Sequence, residues 1–269
     1  MDSTNVEAFS DENMIVGPKS ASTNGWLSCL STCVVVVGTL FIVLNILWTF
    51  ENCPLPGSSM LKANMAAVAA RGRDIYVAIT SANVDRETEL LPPIWPKTCL
   101  VSTNLTDDIS GKVFKTSTEY FAALYDEDHV GTEAWKPWVR GFDYSKLAGT
   151  GVPAKMGKGK LLAKNNMWLI AANITEEDPD IIPVLITRNV DVKEIERLVN
   201  QGGTSSNDTK LAWSSDYKTP FGNKGFVMVR KGGGTFNNQA RYATLRVIFN
   251  SQTLPPRDPS KPPIVYLMP

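Results

Sequence analysis

From Ser20 to Phe50 the chain contains no Asp, Glu, Lys or Arg, an absence that separates this stretch from the rest of the sequence. Other scarcities exclude whole classes of function. There is one histidine, His129, and none of the four cysteines belongs to a Cys-x-x-Cys pair, so a zinc site of the usual kind has no ligand set. Basic and acidic residues balance at 27 each, and no basic stripe runs along the chain. Phosphate neutralisation needs such a stripe, so a nucleic-acid partner is not expected.

The uncharged stretch is rich in apolar side chains. Val34, Val36, Leu40, Phe41, Leu44 and Trp48 dominate it, with Gly38 and Asn45 among them. About 20 apolar helical residues suffice to cross a bilayer core, where a helix satisfies its own backbone polar groups. Trp26 and Trp48 stand near the two ends, where interfacial aromatics are favoured. The reading is a transmembrane helix over 26–50, preceded by a polar tail over 1–25. A buried helix or strand of a soluble core is the alternative. In lipid, Gly38 would permit close helix approach and Asn45 would seek an amide partner on a neighbouring helix.

Two prolines and a glycine interrupt the chain over 51–58. A long helix is then expected over 59–86, since Leu61, Val68, Ile75 and Ile79 fall at mostly helical spacings among strong helix formers. That pattern reads as amphipathic, with an apolar stripe that needs a partner, most simply a sheet. A short helix should begin at Ser117, capped by Thr116 or Ser117. Residues 127–160 read as irregular loop, with Trp135, Trp138, Phe142 and Tyr144 filling a satellite core or presenting a binding surface. Segments 167–172, 182–187, 225–230 and 242–249 have the length and β-branched content of strands, and 192–201 a short helix ended by Gly202 and Gly203. Helix first and strands after it define an α+β fold, the helix packed on a C-terminal antiparallel sheet.

No motif carries catalysis. Residues 149–160 are rich in glycine and lysine but lack phosphate-loop spacing. Ser215 and Lys218 match Ser-x-x-Lys without its companion motifs. The acidic run 176–180 could offer calcium its oxygens, although the spacing is not that of an EF-hand, and a solvated loop is the default. Asp126, Glu127, Asp128 and His129 read as a solvated helix end. Cys53 and Cys99 would share the soluble side, as one disulfide or as two thiols. The sequons at Asn104, Asn173 and Asn207 are short enough to arise by chance. An enzyme is therefore not expected, nor a bound cofactor.

The element order, with the phrases Asn-Met-Ala-Ala-Val-Ala-Ala-Arg-Gly-Arg-Asp-Ile-Tyr at 64–76, Leu-Pro-Pro-Ile-Trp-Pro-Lys at 91–97 and Pro-Phe-Gly-Asn-Lys-Gly-Phe-Val-Met-Val-Arg-Lys-Gly-Gly-Gly at 220–234, resembles type IV pilin-like proteins, including the pseudopilins of type II secretion. The likeness covers roughly residues 30–250. It implies an apolar N-terminal helix that anchors the subunit in the inner membrane and later packs into a filament core. It also implies an extracytoplasmic pilin-like domain over 59–269, homo-oligomerisation, and partners among the membrane assembly or secretion machinery. The packing residues would be Val34, Val36, Gly38, Leu40, Phe41, Leu44, Asn45 and Trp48, continued by Leu61, Val68, Ile75 and Ile79. The chain departs from that family at the processing site: Lys19 is not followed by Gly, and 26–50 contain no Glu. The alternative function is a membrane-anchored module that recruits a ligand through its aromatic loop.

Overall fold

The computed structural model describes residues 37–39, 57–99, 109–125, 142, 144–154, 161–205 and 208–269. The chain divides into two units, 1–55 and 56–269. Of the first, only Val37, Gly38 and Thr39 are described; they are helical and exposed.

The second unit is α+β. Helix α1 (Gly57–Thr88) is followed by α2 (Ser117–Leu124), β1 (Trp168–Ala172), β2 (Pro183–Thr187) and α3 (Lys193–Gln201). Then come β3 (Gly203–Thr204), β4 (Gly225–Arg230), β5 (Thr235–Gln239), α4 (Leu245–Ile248), β6 (Thr253–Leu254) and β7 (Val265–Leu267). Five strands form one sheet in the order β5-β4-β2-β1-β7, every pair antiparallel, and β3 and β6 make a separate two-stranded ribbon.

Among the described residues no helix is long and apolar enough to cross a membrane. This corrects the expected N-terminal transmembrane helix and, with it, the placement as a single-pass membrane protein. The long helix that is described, α1, has the length, but Lys62, Arg71, Arg73, Asp74, Asp85, Arg86 and Glu87 punctuate it. The assembly residues Val34, Val36, Leu40, Phe41, Leu44, Asn45 and Trp48 lie outside the described residues.

The sheet explains why its central strands read as unbroken apolar runs. Every residue of β1, β2 and β4 is buried, as happens when both faces of a sheet are covered. Register assigns Val227, Val229, Leu185, Trp168 and Ile170 to one face. This is the face of α1, where Gly72 lies against Trp168 and Val229. Arg230 points to the opposite face, where its guanidinium donates to Val247 O (3.1 Å) and Ile248 O of α4. Ile195, Leu198 and Val199 of α3 are buried in the same core. Each large apolar side chain buried in this way contributes roughly 1.5–3 kcal/mol.

Segment 242–249 is not the strand its β-branched content suggests. It forms a 3-10 turn (Ala240–Tyr242) and then α4, capped where Thr244 accepts the Val247 N–H. The buried residues Leu245, Ile248 and Phe249 follow a three-to-four spacing, not two, and Arg246 between them is exposed. The cap and the period together select helix. Four strands had no clear signal: β5 is polar (Thr-Phe-Asn-Asn-Gln), β7 has three residues, and β3 and β6 have two each.

Helix α2 begins with a complete capping box. Thr116 Oγ1 accepts the Glu119 N–H at 3.0 Å, and Glu119 Oε2 accepts the Thr116 N–H at 3.2 Å. Ser117 Oγ donates to Trp168 O (2.8 Å), tying the helix start to β1. Thr116→Ala should therefore lower stability by about 1 kcal/mol in urea unfolding, and Thr116→Ser should not.

Candidate functional site

Helix α1 has two faces, and apolar residues occupy both. The buried face carries Met65, Val68, Gly72, Ile75, Ile79 and Ala82, separated alternately by three and four residues. Val68, Ile75 and Ile79, expected to pack between subunits, are thus spent on the molecule's own core, while Leu61 is half-buried. Met65 lies against Gly225 at the start of β4. Near the far end of the buried stripe Tyr76 Oη donates to Lys231 O in the β4–β5 turn, where Gly233 adopts φ +80°.

The opposite face repeats the spacing with smaller side chains. Ala63, Ala67, Ala70, Asp74, Val77, Ser81 and Val84 are all exposed, and Met60 extends the row by one position. Val77 is 52 % exposed, Val84 60 % and Met60 57 %. The expected apolar stripe of α1 thus packs on the sheet, against β4 and β5, but the outward face carries apolar residues as well as charged ones, so the segregation of the two faces is weak. Alternation of three and four marks one face of a helix, and Asp74 and Ser81 interrupt the apolar residues of this one. Beside this face runs a groove of about 430 Å³ between α1 and the edge strand β5, lined by Lys62, Met65, Ala66, Asn237, Gln239, Arg241 and Tyr242. Thr235 Oγ1 and Asn238 Nδ2 on β5 are buried without a hydrogen-bond partner.

A second cleft, of about 210 Å³, opens over the acidic loop and is lined on its far side by Leu254, Pro255, Pro256, Arg257 and Lys261. The loop's carboxylates face cations. Asp178 meets Arg257 and Glu177 meets Lys261, while Asp180 lies 3.5 Å from Lys231. These pairs take the oxygens that calcium would need. Among the described residues no group of three or more His, Cys, Asp or Glu is placed to hold a metal ion. Burial alone would raise the Asp178 carboxyl, but Arg257 and the Thr175 N–H and hydroxyl outweigh it and hold that carboxyl below its ordinary range.

Other sequence candidates are resolved as structure. Asn173 is buried at φ +65°, and its Nδ2 donates to Thr98 Oγ1 and Pro263 O, both at 2.7 Å, so this sequon offers no free amide to a glycan. Ser215 Oγ donates to Asp216 (2.8 Å) on an exposed turn rather than to Lys218. Phe142 stacks on Phe121 at 5.8 Å, and Tyr144 packs on Tyr125 at 4.5 Å, the satellite core that loop aromatics usually build. Cys99 is an exposed free thiol. Cys53, the residues 155–160 of the glycine- and lysine-rich loop, the acidic group at 126–129, Trp135, Trp138, Asn104 and Asn207 lie outside the described residues.

No family model matches the chain, and no curated protein and no solved structure matches it either. The likeness to pilin-like proteins therefore rests on the sequence phrases and the element order alone.

Proposed function

We propose that this chain is a structural subunit that works by assembling with copies of itself, in a filament of the pilus or pseudopilus type. One observation carries the reading: the outward face of the 32-residue helix α1 exposes a row made mostly of alanine and valine, with Met60 at its start and Asp74 and Ser81 interrupting it. Single exposed apolar residues need no explanation; Met60, Val77 and Val84 stand exposed on one helix together with three alanines. Of the aromatic loop's described residues, Phe142 is buried against Phe121 and Tyr144 half-buried against Tyr125, so these two favour packing over recruitment of a ligand.

The full chain should show concentration-dependent association by sedimentation velocity and ordered polymers by negative-stain electron microscopy. Val77→Asp with Val84→Asp should abolish association while leaving the circular dichroism spectrum and melting temperature nearly unchanged, since both side chains are exposed. A monomer at every concentration overturns the proposal.

A further inference from the structure

We infer that the outer edge of β5 is a docking site for an acidic extended segment of a partner protein, which joins the five-stranded sheet as a further strand. This site stands independently of self-assembly through α1.

The sheet has two edges, β7 and β5, and the fold treats them differently. On β7 the outward backbone groups are closed. Ile264 gives its N–H to the Asn200 side chain and takes a bond from it at its C=O, both at 2.8 Å. The Tyr266 N–H donates to Glu196 Oε1 at 2.7 Å, and Met268 O accepts the Ser117 N–H at 2.7 Å.

On β5 the register turns a row of backbone groups outward. The Arg230 N–H donates to Gly234 O at 2.8 Å, and the Ala240 N–H to Lys224 O at 2.9 Å. Counting in twos between these bonds, Phe236 and Asn238 face β4. Val227, opposite Asn237, sends its N–H the other way, to Thr187 Oγ1 at 3.2 Å. Thr235, Asn237 and Gln239 therefore point their N–H and C=O groups away from the sheet, and no described residue takes them. An open row of this kind is a template for another strand.

Charge decides what that strand carries. The groove of about 430 Å³ between α1 and this edge is lined by two cations, Lys62 and Arg241, and by no carboxylate. Both cations are exposed, and neither has an anionic partner among the described residues. The Arg241 guanidinium rests on the Tyr242 ring at 4.7 Å, which keeps it at the groove. Register places the side chains of Asn237 and Gln239 on the same face of the sheet as Val227, toward α1. Every pair in the sheet is antiparallel. In an added antiparallel strand, the residues opposite Thr235, Asn237 and Gln239 direct their N–H groups to β5 and their side chains to the α1 face. Carboxylates at those alternate positions meet Lys62 and Arg241.

A second copy's β5 would satisfy the backbone but not the charge. Its sequence, Thr-Phe-Asn-Asn-Gln, has no carboxylate, and Asp180, which packs on Gly232 at the hairpin turn, is paired with Lys231.

The test uses a fluorescein-labelled, end-blocked peptide, Thr-Glu-Val-Glu-Val-Glu-Thr, titrated with the full chain at low salt and read by fluorescence anisotropy. A counterpart with lysine for each glutamate is the control. The acidic peptide should bind and the basic one should not. N-methylation of the three glutamates removes the N–H groups that face β5 and should abolish binding. N-methylation of the two valines, whose N–H groups face away, should leave it. Lys62→Glu with Arg241→Glu should lower affinity about tenfold, two exposed ion pairs being exchanged for repulsions. Binding should persist in Val77→Asp with Val84→Asp, which separates this site from the α1 face. Absence of binding by the acidic peptide overturns the inference, as does equal binding of the basic one. Equal effects of the two methylation patterns overturn strand addition. Self-association that is lost in a folded Asn237→Pro variant, with no peptide bound by the wild type, would assign the edge to a second copy instead.

Discussion

Arg257→Ala should destabilise the α+β unit by about 3–5 kcal/mol, the usual result of removing one partner from a buried ion pair, read from urea unfolding at neutral pH. The Arg257 side chain is 5 % exposed and that of Asp178 9 %. Its guanidinium serves three acceptors on separate segments: Asp178, Asn173 O after β1, and Pro262 O before β7, the last at 2.8 Å. Its backbone N–H donates to Asn200 O at 3.0 Å, and Asn200 exchanges two bonds with the backbone of Ile264. One side chain thus ties together the acidic loop, the end of β1 and the segment before β7, while the backbone of Arg257 and the side chain of Asn200 fasten that segment to α3. Truncating it leaves a carboxylate buried without its cation and two carbonyls without donors, each a desolvation cost of its own. Arg257→Lys restores a charge but not the planar fork, so it should recover only part of the loss.

The pH dependence supplies an independent arm. The Asp178 carboxyl is held below its ordinary range in the folded state, so its contribution is present above the unfolded carboxylate pKa of about 4 and is lost as pH falls through the lower folded value. In Arg257→Ala the same carboxyl keeps its burial without its cation, and protonation then relieves the penalty. The stability gap between the two proteins should therefore narrow below about pH 4. A gap constant with pH would show that Arg257 acts through packing alone.

The legible parts of the fold were those whose local chemistry and tertiary role agree. Gly225–Arg230 reads as strand and is strand β4, and Thr116 reads as a cap and is one. Helix α1 was legible in extent but not in its faces. Leu61, Val68, Ile75 and Ile79 stand out because they are large, and large residues at helical spacing go to the core. The alanines between them read as helix formers, yet three of them belong to the outward row. Their signal was the register shared with Val77 and Val84, which becomes visible only when exposure separates the two faces. Strand β5 was hidden for the reverse reason: an edge strand has one neighbour and tolerates Asn and Gln. The role of Arg257 was beyond reach, since its acceptors come from segments up to 84 residues away.

Gly72 gives the second large effect. A glycine mid-helix costs up to about 1 kcal/mol relative to alanine, so on propensity alone Gly72→Ala should stabilise. The expected result is the opposite, a loss of about 1–3 kcal/mol by overpacking. A β-carbon at Gly72 would stand 2.6 Å from Trp168 Cη2 and 3.1 Å from both Trp168 Cζ2 and Val229 Cγ2. Trp168 cannot retreat: it is fully buried, its indole N–H donates to Lys146 O at 3.2 Å, and its backbone is paired within β1. Helix and sheet would have to part at this contact. A double-mutant cycle isolates this contact. Trp168→Phe alone costs stability through the space it leaves, but it removes the ring atoms nearest Gly72. In that background Gly72→Ala should become neutral or stabilising, by up to the propensity difference of about 1 kcal/mol. Equal penalties in both backgrounds, measured by urea unfolding, would place the constraint at Val229 or in the helix backbone instead of at the indole.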